Sequence, residues 1–247
     1  MSKLYVVGFG PGNAENMTAA CNDCLRNADI IVGYTGYINL LRPLFPDKEY
    51  HETGMTKEIE RCRTAIELAE KNINGDKNVC VVSGGDSGVY GMASLIYELA
   101  ADSLDVDIEI IPGVTAAISG AALLGAPLGH DFTVISLSDL LTPWKTIEKR
   151  LRAAAEGDFV ICLYNPGSKK RAGHLSDACR VLLGTLPANR LCGIARNIGR
   201  EGQSVSMMSL DELYGVQVNM NETVFIGNSA TRNISGYMIT PRGYHNE

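Results

Sequence analysis

Short apolar runs alternate with stretches of helical period along the first half of the chain. Residues 3–9, 29–33, 78–83 and 108–111 are strand-like. The run Val79-Cys80-Val81-Val82 is apolar without alternation, the pattern of a parallel strand covered on both faces. Residues 17–27, 56–72 and 89–100 repeat apolar positions at helical spacing. The helix over 56–72 is the clearest: Ile59, Cys62, Ile66 and Ala69 share a face, Thr56 is placed to cap the start, and Gly75 follows the end. A Tyr-rich segment, 34–41, follows the second strand. Strands alternating with helices predict βαβ units and a mostly parallel sheet.

The second half opens with a Gly/Ala-rich helix over 114–124. A strand (132–137), a helix (144–155), a strand (158–164) and a helix (172–184) follow; the last carries Leu175, Ala178, Cys179, Leu182 and Leu183 on one face. After Pro187 the helical pattern stops. Residues 191–196, 204–208 and 223–227 read as short strands, too close together for full helices between all of them, which predicts a mixed sheet with antiparallel hairpins. The expected fold class is therefore α/β, with two domains, 1–112 and 113–247, divided near Pro112 and Gly113. No internal repeat or long linker is evident.

Composition narrows the class. Of 247 residues 45% are hydrophobic and 20% charged, the balance of a soluble globular protein. With 22 Lys and Arg against 28 Asp and Glu, the formal charge is -6, which argues against nucleic acid or an anionic membrane as partner. Residues 110–129 carry no charge and are long enough to span a bilayer, but Pro112, Gly113, Gly120, Gly125, Pro127 and Gly129 interrupt them, so a buried helix flanked by loops is expected. The start runs directly into a strand without the pattern of a secretory leader, so a cytoplasmic location is expected. Seven cysteines are scattered along the chain. Cys80, Cys162 and Cys179 fall on apolar runs or faces and read as core residues in a reducing compartment. Cys21 and Cys24 form a lone Cys-x-x-Cys with no second ligand pair at zinc spacing, and the four histidines (His51, His130, His174, His245) show no metal spacing, so no metal site is expected.

Three glycine-bearing segments each sit between a strand and a helix. Gly8-Phe9-Gly10-Pro11-Gly12-Asn13 occupies the place of a dinucleotide fingerprint but fails it, because Asn13 stands where the third glycine is needed and Pro11 has no N–H to offer a pyrophosphate. Gly84-Gly85-Asp86-Ser87-Gly88 lies at a strand's carboxyl end, where open α/β sheets bind ligands; Asp86 is either a ligand acceptor or the cap of a tight turn. Pro112-Gly113-Val114-Thr115-Ala116 precedes the helix of small residues, a place for a bulky group or for close helix packing.

In this order the three segments resemble the tetrapyrrole methyltransferases, whose pattern is V-G-x-G-P-G, then G-G-D-x-x-x-Y-G, then P-G-[VI]-[TS]-A. The segments Leu124 to Phe132, Ile135 to Trp144, Leu163-Tyr164-Asn165-Pro166-Gly167-Ser168, Ala195 to Gly202 and Gly227-Asn228-Ser229-Ala230-Thr231 are similar to the branch of that family that acts on carbon 17 of precorrin-3B. The resemblance covers essentially the whole chain, with no appended domain evident.

The resemblance implies the tetrapyrrole methylase fold, a homodimer, and S-adenosylmethionine as cofactor, folded between the domains beneath an open trough for the macrocycle. It implies methyl transfer to carbon 17 of a corrin precursor, metal-free or cobalt-containing, with ring contraction. The alternatives are a methyltransferase for another corrin carbon and a non-catalytic tetrapyrrole carrier. Carried over by motif, cofactor contacts fall on Gly84, Gly85, Asp86, Val89, Thr115, Ala116, Asn165 and Ala195. Gly10, Pro11 and Gly12 would rim the substrate trough, Tyr34 and Tyr37 would stack on the macrocycle or lie in the core, and Arg196 and Arg232 would hold its carboxylates. Lys169, Lys170 and Arg171 are either a further carboxylate site or a solvated helix start. Methyl transfer from a sulfonium needs alignment above all. Ring contraction needs protons moved, and His130 beside Asp131 is the candidate pair, with a packed structural histidine as the other reading.

Overall fold

The computed structural model describes residues 2–72, 77–101, 106–168 and 172–244. Gly75, the Lys169, Lys170 and Arg171 cluster, and His245 lie outside the described residues. The chain divides into two compact units, Met1–Thr115 and Ala116–Glu247.

The first unit is built on five strands: β1 (Ser2–Gly8), β2 (Ile30–Tyr34), β3 (Glu49–Thr53), β4 (Val79–Ser83) and β5 (Val106–Ile111). They lie in the order β3-β2-β4-β1-β5, all parallel. The helices α1 (Ala19–Asn27) and α2 (Thr35–Leu41) cover one face, where Cys21, Leu25, Ile38 and Leu41 pack on Val7, Ile31, Cys80 and Val82. On the other face α3 (Glu58–Glu70) and α4 (Ala93–Leu99) set Cys62, Ala65, Ile66 and Ile96 against Leu4, Val6, Val32, Val79 and Val81. Burial on both faces is why β4 reads as an unbroken apolar run.

Two expectations need correction here, and one strand was not foreseen. The helix α3 starts at Glu58, not Thr56, because Thr56 takes a left-handed backbone (φ 65°) that turns the chain before the helix begins. Ile59 is 57% exposed, since the inward place in the first turn goes to Arg61, whose Nη2 donates to the Gly54 carbonyl (3.0 Å). The strand β3 has no apolar signal (Glu-Tyr-His-Glu-Thr) because it is an edge strand held on one side only. The Tyr-rich segment after β2 is α2.

The second unit carries α5 (Ala116–Leu124), β6 (Gly125–Ala126), β7 (Phe132–Ser136), α6 (Trp144–Glu156), β8 (Val160–Tyr164), α7 (His174–Leu183), β9 (Leu191–Arg196), β10 (Ser204–Ser209), α8 (Leu210–Tyr214) and β11 (Glu222–Ile226), then the hairpin of β12 (Arg232–Ile234) and β13 (Tyr237–Ile239). Its main sheet runs β10-β9-β11-β8-β7; β7 and β8 are parallel, while β11 is antiparallel to both its neighbours and β10 to β9. The sheet is mixed, as the crowded strands after Pro187 imply. One face is covered by α6, α7 and α8. On the other lies α5, whose Gly120 lets Ile198 and Phe225 approach to where a Cβ would sit 3.0 Å from each. The helical pattern does not in fact stop at Pro187: α8 buries Leu210 and Leu213, and Glu212 accepts from the Ser209 backbone N–H (2.8 Å) and hydroxyl (2.7 Å) at its start. The three-stranded sheet β12-β13-β6 was also absent from the pattern, its strands being only two or three residues long.

Candidate active site

In the first unit the carboxyl ends of β1, β4 and β5 are adjacent, and the three glycine segments leave from them. Their backbones touch. Gly10 and Gly85 exchange hydrogen bonds (Gly10 N to Gly85 O 3.0 Å, Gly85 N to Gly10 O 2.8 Å), an antiparallel bridge beyond the strands. A Cβ on Gly8 would stand 2.8 Å from Gly85 O, 2.9 Å from Asp86 Cα and 2.9 Å from Gly113 N. A Cβ on Gly113 would meet the carbonyl oxygens of Gly85 and Gly8 closer still. Only glycine fits where three main chains pack this way.

Asp86 ties the second segment to the third. Its Oδ1 accepts from Gly88 N (2.8 Å) and its Oδ2 from Gly113 N (2.9 Å). It does not cap α4, which begins seven residues on at Ala93 behind the turn-forming stretch that includes Tyr90 (φ 54°). The third segment is further held by Thr18, whose hydroxyl donates to Pro112 O (3.1 Å) while its oxygen accepts from Cys21 N (3.1 Å) and so caps α1. Val89 and Thr115 are half-buried beside these turns. Of the expected substrate rim, Gly10 and Pro11 are buried in the loop pairing and Gly12 is partly open. Tyr34 closes β2 and meets Tyr37 edge to face (5.3 Å), as Tyr37 meets Phe9 (5.4 Å). The Tyr37 ring lies where a side chain on Gly84 would project, with its nearest carbon 2.9 Å from that Cβ position. Cys21 is buried, and Cys24 faces Cys80 across the core with the sulfurs 3.7 Å apart. Hydrogen bonding from the Cys80 thiol holds the Cys24 pKa down, while burial pushes Cys21 up to about 12.

In the second unit β7, β8 and β9 all end at the same edge of the sheet. Ala116 opens α5, and the next backbone N–H, of Ala117, donates to the Tyr164 hydroxyl (2.6 Å). Asn165 follows β8 in a left-handed conformation (φ 51°), and its Nδ2 donates to Ser136 Oγ (2.9 Å), which also accepts from Ser138 N (3.2 Å). Leu137 N donates to Tyr164 O (2.9 Å), and Leu137 O accepts from His174 Nδ1 (2.8 Å). Tyr164, Ser136 and His174 were not singled out as site residues from the sequence. The signal for Tyr164 was its place immediately before the Asn165-Pro166-Gly167 turn; His174 gave none beyond opening a helix.

The remaining expected residues are Ala195, Arg196, Arg232 and His130 with Asp131. Ala195, next to last in β9, is fully buried, paired with Val205 and Thr223 and packed in the cluster that also holds Ala116, Ala117 and Tyr164. Arg196 spends Nε on Glu222 Oε1 (3.1 Å) and Nη1 on Ser206 Oγ (2.8 Å), with Glu222 itself buried. Arg232 is exposed on β12. His130 is 52% exposed, and its Nδ1 lies 3.7 Å from Asp131 Oδ2, beyond hydrogen-bond length, with the Asp131 side chain in solvent.

Glycine-packed loops at the carboxyl ends of a parallel sheet, followed by a mixed α/β unit, define the class. The chain belongs to the tetrapyrrole (corrin/porphyrin) methylases, whose family model matches residues 3–214. It is 47% identical over 242 residues to the probable cobalt-factor III C(17)-methyltransferase of Salmonella typhimurium, covering 98% of this chain and 99% of that one. It is 40% identical over 250 residues to the precorrin-3B C(17)-methyltransferase of a Sinorhizobium species, covering 98% and 96%. The crystal structure of the methyltransferase CobJ matches it with a TM-score of 0.89 at 36% identity, over 98% of this chain and all of that one. Among the described residues no helix is long and apolar enough to cross a membrane.

Proposed function

We propose that the protein transfers a methyl group from S-adenosylmethionine to carbon 17 of a corrin precursor, with contraction of the macrocycle. The observation that carries this reading is the mutual packing of Gly8, Gly85 and Gly113, which builds a side-chain-free backbone surface where a parallel sheet binds ligands. Its combination with relatives of that activity over nearly the whole chain supports the substrate. The cofactor supplies an electrophilic methyl group on a sulfonium. The chain's part is to align it with the acceptor carbon, which is why no nucleophile is needed.

Gly84, Gly85, Asp86, Val89 and Thr115 on the loops of the first unit are the residues to hold the cofactor. Asp86 fixes the loops by accepting from Gly88 and Gly113. Tyr164 fixes the start of α5 by accepting from Ala117. Arg232, exposed and without a role in the main sheet, is the arginine better suited to a substrate carboxylate; Arg196 is committed to Glu222. Incubation with S-adenosylmethionine and either precorrin-3B or cobalt-factor III, followed by mass spectrometry and NMR of the product, tests the reading. A product carrying one added methyl group at carbon 17 is expected. Methylation at another carbon, or none with either substrate, refutes it.

A further inference from the structure

Methyl transfer from a sulfonium to a neutral carbon leaves a charge to discharge. The new carbon–carbon bond forms as the S–CH3 bond breaks, the leaving thioether is neutral, and the macrocycle is left with one positive charge. That charge disappears when an N–H or C–H proton of the macrocycle is taken by a base. The ring contraction that accompanies methylation also moves protons. The glycine loops of the first unit offer backbone groups and a carboxylate already bonded twice to N–H donors.

We propose that His174 is the catalytic residue that accepts this proton, at Nε2, an assignment that rests on the methyltransferase reading above. Four observations point to it. The Leu137 carbonyl can only accept, so the 2.8 Å contact places the hydrogen of the neutral ring on Nδ1 and leaves the lone pair on Nε2. The freed nitrogen faces a carboxylate, Asp139 Oδ2, at 3.7 Å, too long for a hydrogen bond but within ion-pair distance. The ring is only 16% exposed and is walled by Trp144, with centroids 5.0 Å apart at 40°. Hydrogen bonds on two adjacent segments place it near a cofactor candidate: Leu137 O accepts from His174, Leu137 N donates to Tyr164 O, and on the neighbouring residues Asn165 Nδ2 donates to Ser136 Oγ.

The other charged group close by on α7, Asp177, is paired with Arg180 (2.9 Å), which leaves Asp139 as the carboxylate opposite Nε2. His130 also has a carboxylate at 3.7 Å, Asp131, but among the described hydrogen bonds no carbonyl fixes its tautomer, and its side chain is 52% exposed. A base held in one tautomer with a charge partner is the arrangement general acid–base catalysis uses.

The decisive variant is His174→Asn. Its amide nitrogen stands where Nδ1 stood and keeps the donation to Leu137 O, while Nε2 is gone. Expected is a fall in kcat of about 10²–10⁴-fold, the usual contribution of a general base, with affinity for S-adenosylhomocysteine within about twofold of wild type. His174→Ala should be equally slow and partly restored by added imidazole. Wild-type turnover in His174→Asn overturns the assignment, as does a loss in turnover matched by loss of S-adenosylhomocysteine affinity and unmoved by imidazole. The wild-type protein run alongside reports on the functional reading: no methyl transfer by it refutes both, whereas equal transfer by wild type and His174→Asn refutes only the role of His174.

Discussion

Replacing Gly8 with alanine puts one methyl group where three main chains meet. Its Cβ would lie 2.8–2.9 Å from Gly85 O, Asp86 Cα and Gly113 N, against about 3.4 Å for ordinary contact, so three segments must each give way by about 0.5 Å. None of the three atoms belongs to a side chain that can rotate aside. Overpacking of this kind costs typically about 1–3 kcal/mol, and contacts that are all backbone place Gly8→Ala at the upper end, ~3 kcal/mol. At ~2–4 °C per kcal/mol for a chain of this size, the melting temperature should fall by about 6–12 °C. The same displacement opens the Gly10–Gly85 bridge and pulls Gly113 from Asp86, so S-adenosylhomocysteine affinity measured by calorimetry should fall as well. Gly54→Ala is the control, because nothing lies within 4 Å of a Cβ there. A Gly8→Ala protein that melts within a degree of wild type and binds with unchanged affinity would refute the packing argument.

The two arginines should separate. Arg196→Ala leaves the buried Glu222 carboxylate without its guanidinium and should lower stability by roughly 3 kcal/mol in denaturant unfolding, whereas Arg232→Ala should leave stability unchanged and raise the KM for the tetrapyrrole. Equal melting of wild type and Arg196→Ala would show that the pair is not structural. Native alkylation at neutral pH should modify Cys24 first, since thiolate is the reacting form: its pKa is held down by the Cys80 thiol, while burial pushes Cys162 and Cys179 up to about 12. Peptide mapping that finds Cys162 or Cys179 modified before Cys24 would contradict that order.

The layers of the fold were legible wherever burial imposed a period. The apolar run of β4 announced a strand covered twice, and Leu175, Ala178, Cys179 and Leu182 announced the inward face of α7. What stayed hidden was held by one-sided pairing or by very short strands: β3, with a polar sequence on an edge, and the small sheet of β6, β12 and β13. The site behaved similarly. Gly85 and Gly113 could be read because main-chain contact leaves no substitute for glycine. The roles of Tyr164 and His174 could not, because each depends on a partner far away in sequence, Ala117 and Leu137. Asp86 drew notice as a ligand acceptor, and the structure gives its oxygens to Gly88 and Gly113.

The order of strands in the first unit also bears on how the chain is made. The strand β1 sits inside the sheet, Leu4 beside Val79 and Ser2 beside Val106, so both neighbours of an early strand are synthesised long after it. At about 5–20 residues per second, roughly 5–20 s of translation separate the appearance of β1 from that of β5. Until β4 appears Leu4, Val6 and Val7 have no sheet to enter, and until β5 follows β1 remains an open edge whose glycine loop has met Gly85 but not Gly113. The junction of the three glycine loops is therefore completed only when β5 leaves the ribosome, and a nascent chain stalled before Val106 would carry β1 as an unpaired edge for chaperones to cover.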